Sequence, residues 1–337
     1  MKKLILLIIC LPLFTLGQQT INASINHAGI TRDYILYVPN SYVTGNQVPL
    51  VFNFHGYTSN ATEQMWYGDF RTIADTAGFI IVHPEGTLDN SGATHWNVGW
   101  GGSTVNDINF TSTLIDSIAS EYSINLDRVY STGMSNGGFM SYQLACELSD
   151  RIAAIASVTG SMNPGWFNSC NPSHPMPVME IHGTADPTVL YTTVPNIIDF
   201  WRGINNCNNT PVLTNMPDIN IIDGCTAEHQ IWENGDNGAT VEHYKIIGGE
   251  HSWPGAPFPN GVTNQDINAA EKIWEFFNKY DINGLILPTN IKNMTAEKSA
   301  KLIKIVDVLG RVTIPKPNTP LFYIYKDGTV KKRILIK

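Results

Sequence analysis

The sequence predicts an α/β fold, with a mostly parallel sheet covered by helices on both faces and a small C-terminal β unit. Three observations predict it. Short β-rich runs alternate with helix-period segments between Tyr34 and Tyr280. Gly and Pro bound those runs, the pattern of strands in a covered parallel sheet. The charge also changes sign near Pro288. Residues 19–288 hold 8 Lys+Arg against 26 Asp+Glu, a balance of −18, while residues 289–337 hold 11 against 3, a balance of +8.

Taken in order, residues 34–38 alternate into Pro39 and read as a strand. Residues 49–54 and 79–83 are two more, and the spacing between them predicts one helix over 62–77. A second helix covers 107–122, with Ile108, Leu114, Ile115 and Ile118 on its apolar face. The strand 128–132 leads into a helix over 137–148. Strands follow at 152–158 and 178–182, then a helix at 194–204, a strand at 241–247 and a helix at 267–280. Asn283-Gly284 and Pro288 form a linker. Beyond it, residues 301–308, 321–325 and 331–336 read as strands, with turns at Leu309-Gly310-Arg311 and Asp327-Gly328.

The first segment is a targeting signal rather than part of the fold. Lys2 and Lys3 precede an apolar run over 4–16 that ends at Gly17, the layout of a secretory signal peptide over residues 1–18. That run is shorter than the ~20 residues of a spanning helix. No other stretch is long enough either, so stable membrane insertion is not expected. The remaining organisation is a catalytic domain over 19–288 and a terminal domain over 289–337. The charge of −18 on the former repels phosphate backbones, so no nucleic-acid partner is expected.

Export makes disulfides permissible. Apart from Cys10 in the signal, the chain has Cys146, Cys170, Cys207 and Cys225. Four cysteines allow three connectivities. The two sequence-local pairs, Cys146–Cys170 and Cys207–Cys225, are expected. Their spacing is unlike paired zinc knuckles, so no metal is expected.

Gly133-Met134-Ser135-Asn136-Gly137 matches G-x-S-x-G. The pattern alone is weak, but here it directly follows a predicted strand and opens a predicted helix. That setting is the nucleophile elbow of α/β-hydrolases, with Ser135 exposed on a sharp turn. A serine hydroxyl needs a base, and the base needs an orienting carboxylate, in the chain order Ser, Asp, His. Asp186 follows the strand 178–182, and His251 follows the strand 241–247 within Gly248-Gly249-Glu250-His251-Ser252-Trp253. An oxyanion hole needs two backbone N–H groups. Asn136, after the nucleophile, is one candidate, and Tyr57, in the His55-Gly56-Tyr57 turn, is the other. His182 and His55, at strand ends beside glycines, read as supports for the site loops.

These segments together resemble the polyhydroxybutyrate depolymerase and feruloyl/acetylxylan esterase family of α/β-hydrolases. The likeness rests on Arg128-Val129-Tyr130, the elbow through Gly138, Ile181-His182-Gly183-Thr184-Ala185-Asp186-Pro187 and Gly249-Glu250-His251-Ser252-Trp253-Pro254-Gly255. It runs from about residue 26 to 279. The resemblance implies a secreted serine carboxylic ester hydrolase with the triad Ser135, Asp186 and His251, acting without cofactor. Plant cell-wall feruloyl or acetyl esters, or a polyester, are the implied substrates. Tyr57 stands where many members carry a cysteine. The tail, through Asp307-Val308-Leu309-Gly310-Arg311 and Leu321-Phe322-Tyr323-Ile324, resembles the sorting domain of type IX secretion substrates, which implies that machinery as a partner.

Aromatics supply the substrate candidates. Trp66, Tyr67, Trp96, Trp100, Trp166 and Trp253 can form a platform for a sugar, a cinnamoyl ring or a polyester chain. Trp253, beside His251, is expected to line the site, with Trp96 and Trp100 as further substrate-binding candidates. Four readings compete with the wall esterase: an extracellular polyhydroxyalkanoate or aromatic polyester depolymerase, a serine peptidase with the same triad, a silent carbohydrate-binding surface protein, and a structural adhesin.

Overall fold

A computed structural model describes residues 19–286, 302–308, 310–315, 319–326 and 330–334. The expected signal peptide, Pro288 of the expected linker and Asp327-Gly328 lie outside the described residues, whereas Asn283-Gly284 is not a linker but the turn of a hairpin that pairs Tyr280–Asp281 with Gly284–Leu285. Contacts divide the chain into two units, Met1–Ile286 and Leu287–Lys337.

The first unit opens with strands β1 (Gln19–His27), β2 (Ile30–Val38) and β3 (Val48–Phe54), then helices α1 (Ala61–Tyr67) and α2 (Arg71–Ala77). Strand β4 (Ile80–Pro84) and the small hairpin β5 (Thr87–Leu88) and β6 (Thr94–His95) precede α3 (Asp107–Glu121). The centre is β7 (Ile124–Met134), α4 (Asn136–Glu147), β8 (Ala154–Val158), β9 (Val178–Gly183) and α5 (Val194–Ile204). Strands β10 (Val212–Asn215), β11 (Thr226–Trp232) and β12 (Val241–Ile247) come next, followed by α6 (Ala269–Phe277), β13 (Tyr280–Asp281) and β14 (Gly284–Leu285).

Ten strands form one sheet in the order β1-β2-β4-β3-β7-β8-β9-β12-β11-β10. Its central pairings, from β4 through β12, are parallel, and both edges are antiparallel. Side chains alternate between the faces, so one strand feeds two cores. Leu50, Phe52 and Phe54 of β3 join one core with Phe110 and Leu114 of α3 and Trp201 of α5. Val51 joins the other, with Ala74 of α2 and Ile273, Phe276 and Phe277 of α6. Each such side chain, once fully buried, stabilises by about 1.5–3 kcal/mol.

Local chemistry starts the helices. Asn60, Asn106 and Asn268 each accept a hydrogen bond from the amide three residues on, satisfying a free N–H of the first turn. Arg32 of β2 is clamped to Asp107 of α3 at 2.7 Å, with its guanidinium 3.8 Å from the centre of the Phe110 ring. Both ends of that ion pair are buried, so removing one partner alone would cost about 3–5 kcal/mol.

Three expectations need correction. The single helix over 62–77 is two, because the chain breaks at Gly68, where any Cβ would press on the Trp253 ring at 3.0 Å. The strands β1, β10 and β11 were not expected: β1 places polar Thr20, Asn22, Ser24 and Asn26 outward, β10 is only four residues long, and β11 carries Glu228, His229 and Gln230 in its middle. The Cys207–Cys225 disulfide does not form, and both thiols are buried and free. Cys225 directly precedes β11, whereas Cys207 lies by Ala239 beyond the strand's far end, where Asn208 N–H donates to Glu233. A seven-residue strand at ~3.3 Å per residue keeps them far outside the ~7 Å limit for a disulfide. Cys146–Cys170 does form.

The second unit holds an antiparallel sheet, β15 (Leu302–Val306), β16 (Pro320–Tyr325) and β17 (Val330–Ile334). Leu321, Tyr323 and Val306 form its buried side. Asp307 accepts from the Arg311 backbone at 3.0 Å and pairs with its guanidinium at 2.8 Å, closing the turn at Gly310.

Candidate active site

Strand β7 delivers Ser135 to a sharp corner. Its φ of 53° and ψ of −118° lie in a region that side-chain-bearing residues rarely adopt. Hydrogen bonds hold the corner on both sides. The Ser135 amide donates to Val158 at the end of β8 at 2.8 Å, and its carbonyl accepts from Phe139 in α4 at 3.0 Å. The flanking glycines are steric requirements. A Cβ on Gly133 would come within 2.6 Å of the Phe54 carbonyl oxygen, and one on Gly137 would overlap the same group.

Strands β9 and β12 supply the other two candidates from adjacent, parallel positions. Their loops are stitched together: Ala185 N–H donates to Gly249 at 2.9 Å, and Gly248 N–H donates to Thr184 Oγ1 at 2.8 Å. Asp186 is thereby fixed against His251, whose Nδ1–H donates to Asp186 Oδ2 at 2.7 Å. The other carboxylate oxygen, Oδ1, accepts from the amides of Thr188 and Val189 at 2.8 and 2.9 Å. Burial opposes charge on Asp186, but the donors from His182 and His251 outweigh it and hold the carboxyl well below the usual range. Nδ1 of His251 being committed to Asp186, Nε2 is the nitrogen left for proton transfer.

Ser135 and His251 line one cavity of about 790 Å³. Their side chains are not hydrogen-bonded to each other among the described residues. A base and its nucleophile often close to bonding distance only when substrate is present.

Tyr57 lies on the same wall, in the turn after β3. Its N–H has no backbone acceptor among the described residues. Asn136 opens α4, so its amide precedes the first intrahelical bond. Two structural groups set this turn. His55 donates from Nδ1 to the Gly56 carbonyl at 2.7 Å and accepts at Nε2 from the Gly86 amide at 2.9 Å. Burial pushes that ring down to about 4, so it remains a neutral clamp. The Asn136 side chain meanwhile accepts from the Trp96 amide at 2.7 Å and locks the elbow to a second loop.

The tryptophan expectations change. Trp96 is fully buried, donates from Nε1 to the His55 carbonyl at 3.0 Å and packs edge-on against Phe54, so it braces the turn from beneath. Trp253 is 1% exposed and sits against Gly68 and Phe70, beneath the site rather than in it. Trp100 is exposed but rests on Phe139 and Tyr57, outside the cavity lining. The lining comes instead from Trp66 and Tyr67 of α1, Met134, and Phe258 with Asn260. Phe258 was overlooked, although an aromatic between Pro257 and Pro259 in the loop after His251 is a readable signal of a presented side chain.

A family model described as "Esterase PHB depolymerase" matches residues 32–202. A bifunctional acetylxylan esterase/xylanase of Neocallimastix patriciarum is 28% identical over 79% of this chain, which spans only 36% of that protein's length. A probable feruloyl esterase C of Aspergillus niger is 26% identical over 73% of the chain and 83% of its own length. Among solved structures, an acetyl xylan esterase from Aspergillus awamori superposes with a TM-score of 0.55 at 15% identity. It covers 77% of this chain and 99% of its own and bears out the α/β-hydrolase fold.

Proposed function

The chain belongs to the PHB depolymerase esterase family, and from that premise we propose that it is a serine carboxylic ester hydrolase acting on plant cell-wall esters. One observation carries the reading: the 2.7 Å Asp186–His251 bond stands beside the strained Ser135 corner, on one cavity.

In this mechanism His251 Nε2 takes the Ser135 proton as Oγ attacks the ester carbonyl carbon. Asp186 holds the imidazole with Nδ1–H towards itself and stabilises the imidazolium that forms. The carbonyl oxygen becomes an oxyanion and accepts from the Tyr57 and Asn136 amides, at the positive end of α4. The C–O bond to the alcohol then breaks, and His251 returns the proton to the leaving oxygen. Water, deprotonated by the same imidazole, cleaves the acyl-enzyme and restores Ser135.

The cavity favours an aromatic acyl group over acetyl. Trp66, Tyr67 and Phe258 offer ring faces, and the space far exceeds an acetyl group. Glu63 on the same wall disfavours anionic substrates. Export is part of the proposal. It is supported by the signal-like start, by the Cys146–Cys170 disulfide and by the sorting-domain likeness of the tail. No helix among the described residues is long and apolar enough to cross a membrane.

A side-by-side assay on methyl ferulate, acetylated xylan, polyhydroxybutyrate film and a peptide anilide tests the reading. Preference for methyl ferulate is expected. Faster turnover of the film would favour the polyester alternative, and cleavage of the anilide alone would replace the esterase by a peptidase.

A further inference from the structure

Behind Asp186 lies a buried charged pair that the mechanism above does not use. Glu180 and His182 sit two residues apart on β9, so both side chains leave the same face of the sheet. Neither side chain is exposed. His182 Nδ1 is 2.7 Å from Glu180 Oε1. Its Nε2 is 2.8 Å from the Val189 carbonyl and 3.3 Å from Asp186 Oδ2. That Asp186 oxygen is also the one His251 uses. Two imidazoles therefore share one carboxylate oxygen, one from the buried side and one from the cavity side.

The protonation of His182 follows from its partners. The Val189 carbonyl can only accept, so Nε2 carries a hydrogen. Glu180 Oε2 accepts from the Tyr142 hydroxyl at 2.7 Å. Burial and Glu180 keep that phenol protonated, so it is the donor. Burial raises the Glu180 carboxyl above its ordinary value, opposed by the hydrogen bonds from His182 and Tyr142. Taken as the carboxylate, Glu180 accepts at both oxygens, so Nδ1 also carries a hydrogen and His182 is an imidazolium. Burial alone would discharge it, but the Asp186 and Glu180 acceptors push it up to about 9.

The other facing groups leave this assignment intact. Tyr191 lies 6.0 Å away ring to ring, and Lys245 is the β12 neighbour in register. His243 of β12 is kept neutral by burial, donating to the Glu180 carbonyl and accepting from Tyr191. Glu180, His182 and Asp186 then carry a net charge of −1, where a neutral residue at 182 would leave two uncompensated buried carboxylates.

We propose that Glu180 and His182 are positioning residues, a buried ion pair that grips Asp186 by the oxygen it shares with His251 and so sets the strength of the Asp186–His251 bond during turnover. The inference rests on the serine-esterase reading. Asp186 needs to orient His251 without taking its proton, and a cation at its back lowers its basicity. The pair also adds a contact at Oδ2 to the amides of Thr188 and Val189 that hold Oδ1.

The test compares wild type, His182→Gln and the double variant Glu180→Gln/His182→Gln, with rates expressed per serine labelled by a fluorophosphonate. His182→Gln is expected to lower kcat by about tenfold with KM changed less than about twofold. Its acidic pH–rate limb should move up by roughly half a pH unit or more, because losing a neighbouring cation favours the protonated, inactive base. The double variant restores the net charge, so its limb should return towards wild type while kcat stays low.

An unmoved limb in labelled His182→Gln would overturn the positioning role and leave the esterase reading standing. Absence of any labelling of the wild type would overturn both. Where His182→Gln does not fold, nitrogen NMR of histidine-labelled wild type decides. Both His182 ring nitrogens protonated at neutral pH is the expected result, and a neutral ring there would overturn the proposal.

Discussion

The two walls of the proposed catalytic cavity are built on opposite plans. On one side, Asp186 and His251 stand at the ends of adjacent strands, with Asp186 4% exposed and every oxygen committed to a donor. On the other, Trp66 and Phe258 are 50% and 68% exposed, carried by a short helix and a proline-bracketed loop. The first wall is rigid because the Asp186 carboxylate is buried and satisfied, and displacing it would strand a charge. The second is apolar and open, and substituting it changes what fits rather than whether the chemistry runs. Reactivity and selectivity are thus separable in this molecule, and mutations should separate them.

The largest effect is expected on the rigid wall. Ser135→Ala should lower kcat by at least about 10⁴-fold, leaving only what binding and the oxyanion amides supply. Asp186→Asn should cost about 10⁴-fold, because an amide that donates to His251 reverses its tautomer. Either variant combined with Ser135→Ala should lose little more, since residues acting as one unit are not additive. Steady-state kinetics on methyl ferulate would check all three. A well-folded Asp186→Asn enzyme with near-normal kcat would move the acid to another carboxylate.

On the open wall the loss should be smaller and of another kind. Trp66→Ala or Phe258→Ala should raise KM for methyl ferulate by about tenfold, the worth of roughly one aromatic contact, with kcat nearly unchanged. Hydrolysis of a short acetyl ester should be almost indifferent to both. A collapse of kcat on the acetyl ester would merge the two walls and break the comparison.

Stability against pH gives a third measure of the rigid wall. The folded value of His182 is raised to about 9 from an ordinary 6.5. Its contribution is therefore full below the ordinary value and is lost as pH rises through the folded one. Urea unfolding should show stability falling across that window, and His182→Gln should flatten the fall. An equal slope in both proteins would assign the loss to other groups.

The rigid wall was also the legible one. G-x-S-x-G after a strand, and Asp186 and His251 after later strands, follow from backbone rules that leave local marks. The same logic proposed Asn136 and Tyr57, of which Tyr57 lines the cavity and Asn136 opens α4. Trp253 was misread because adjacency in sequence says nothing of the side on which a ring lies. Trp253 neighbours His251 and still points into the core. Trp66 and Phe258 reach the cavity only through the break at Gly68 and the path of a long loop. Cys207 and Cys225 failed for a related reason. Separation along the chain was short, but a whole strand runs between them. Their two thiols should react with a thiol reagent in denaturant without prior reduction.

The smallest effect is expected from removing the tail. Every residue lining the cavity lies before Ile286, where the first unit ends. The first unit also closes its own core: Ile273, Phe276 and Phe277 of α6 are fully buried against the sheet. Removing residues from Leu287 onward should therefore leave kcat/KM on methyl ferulate within about twofold of the full chain, as expected of a separable domain. The proposed export role of the tail predicts that the truncated enzyme accumulates, active, in the periplasm of the native host. Loss of activity on the small ester would make the tail part of the catalytic fold. Loss confined to insoluble polymer would make it a substrate-binding module, and the apolar wall would then have a second surface sharing its work.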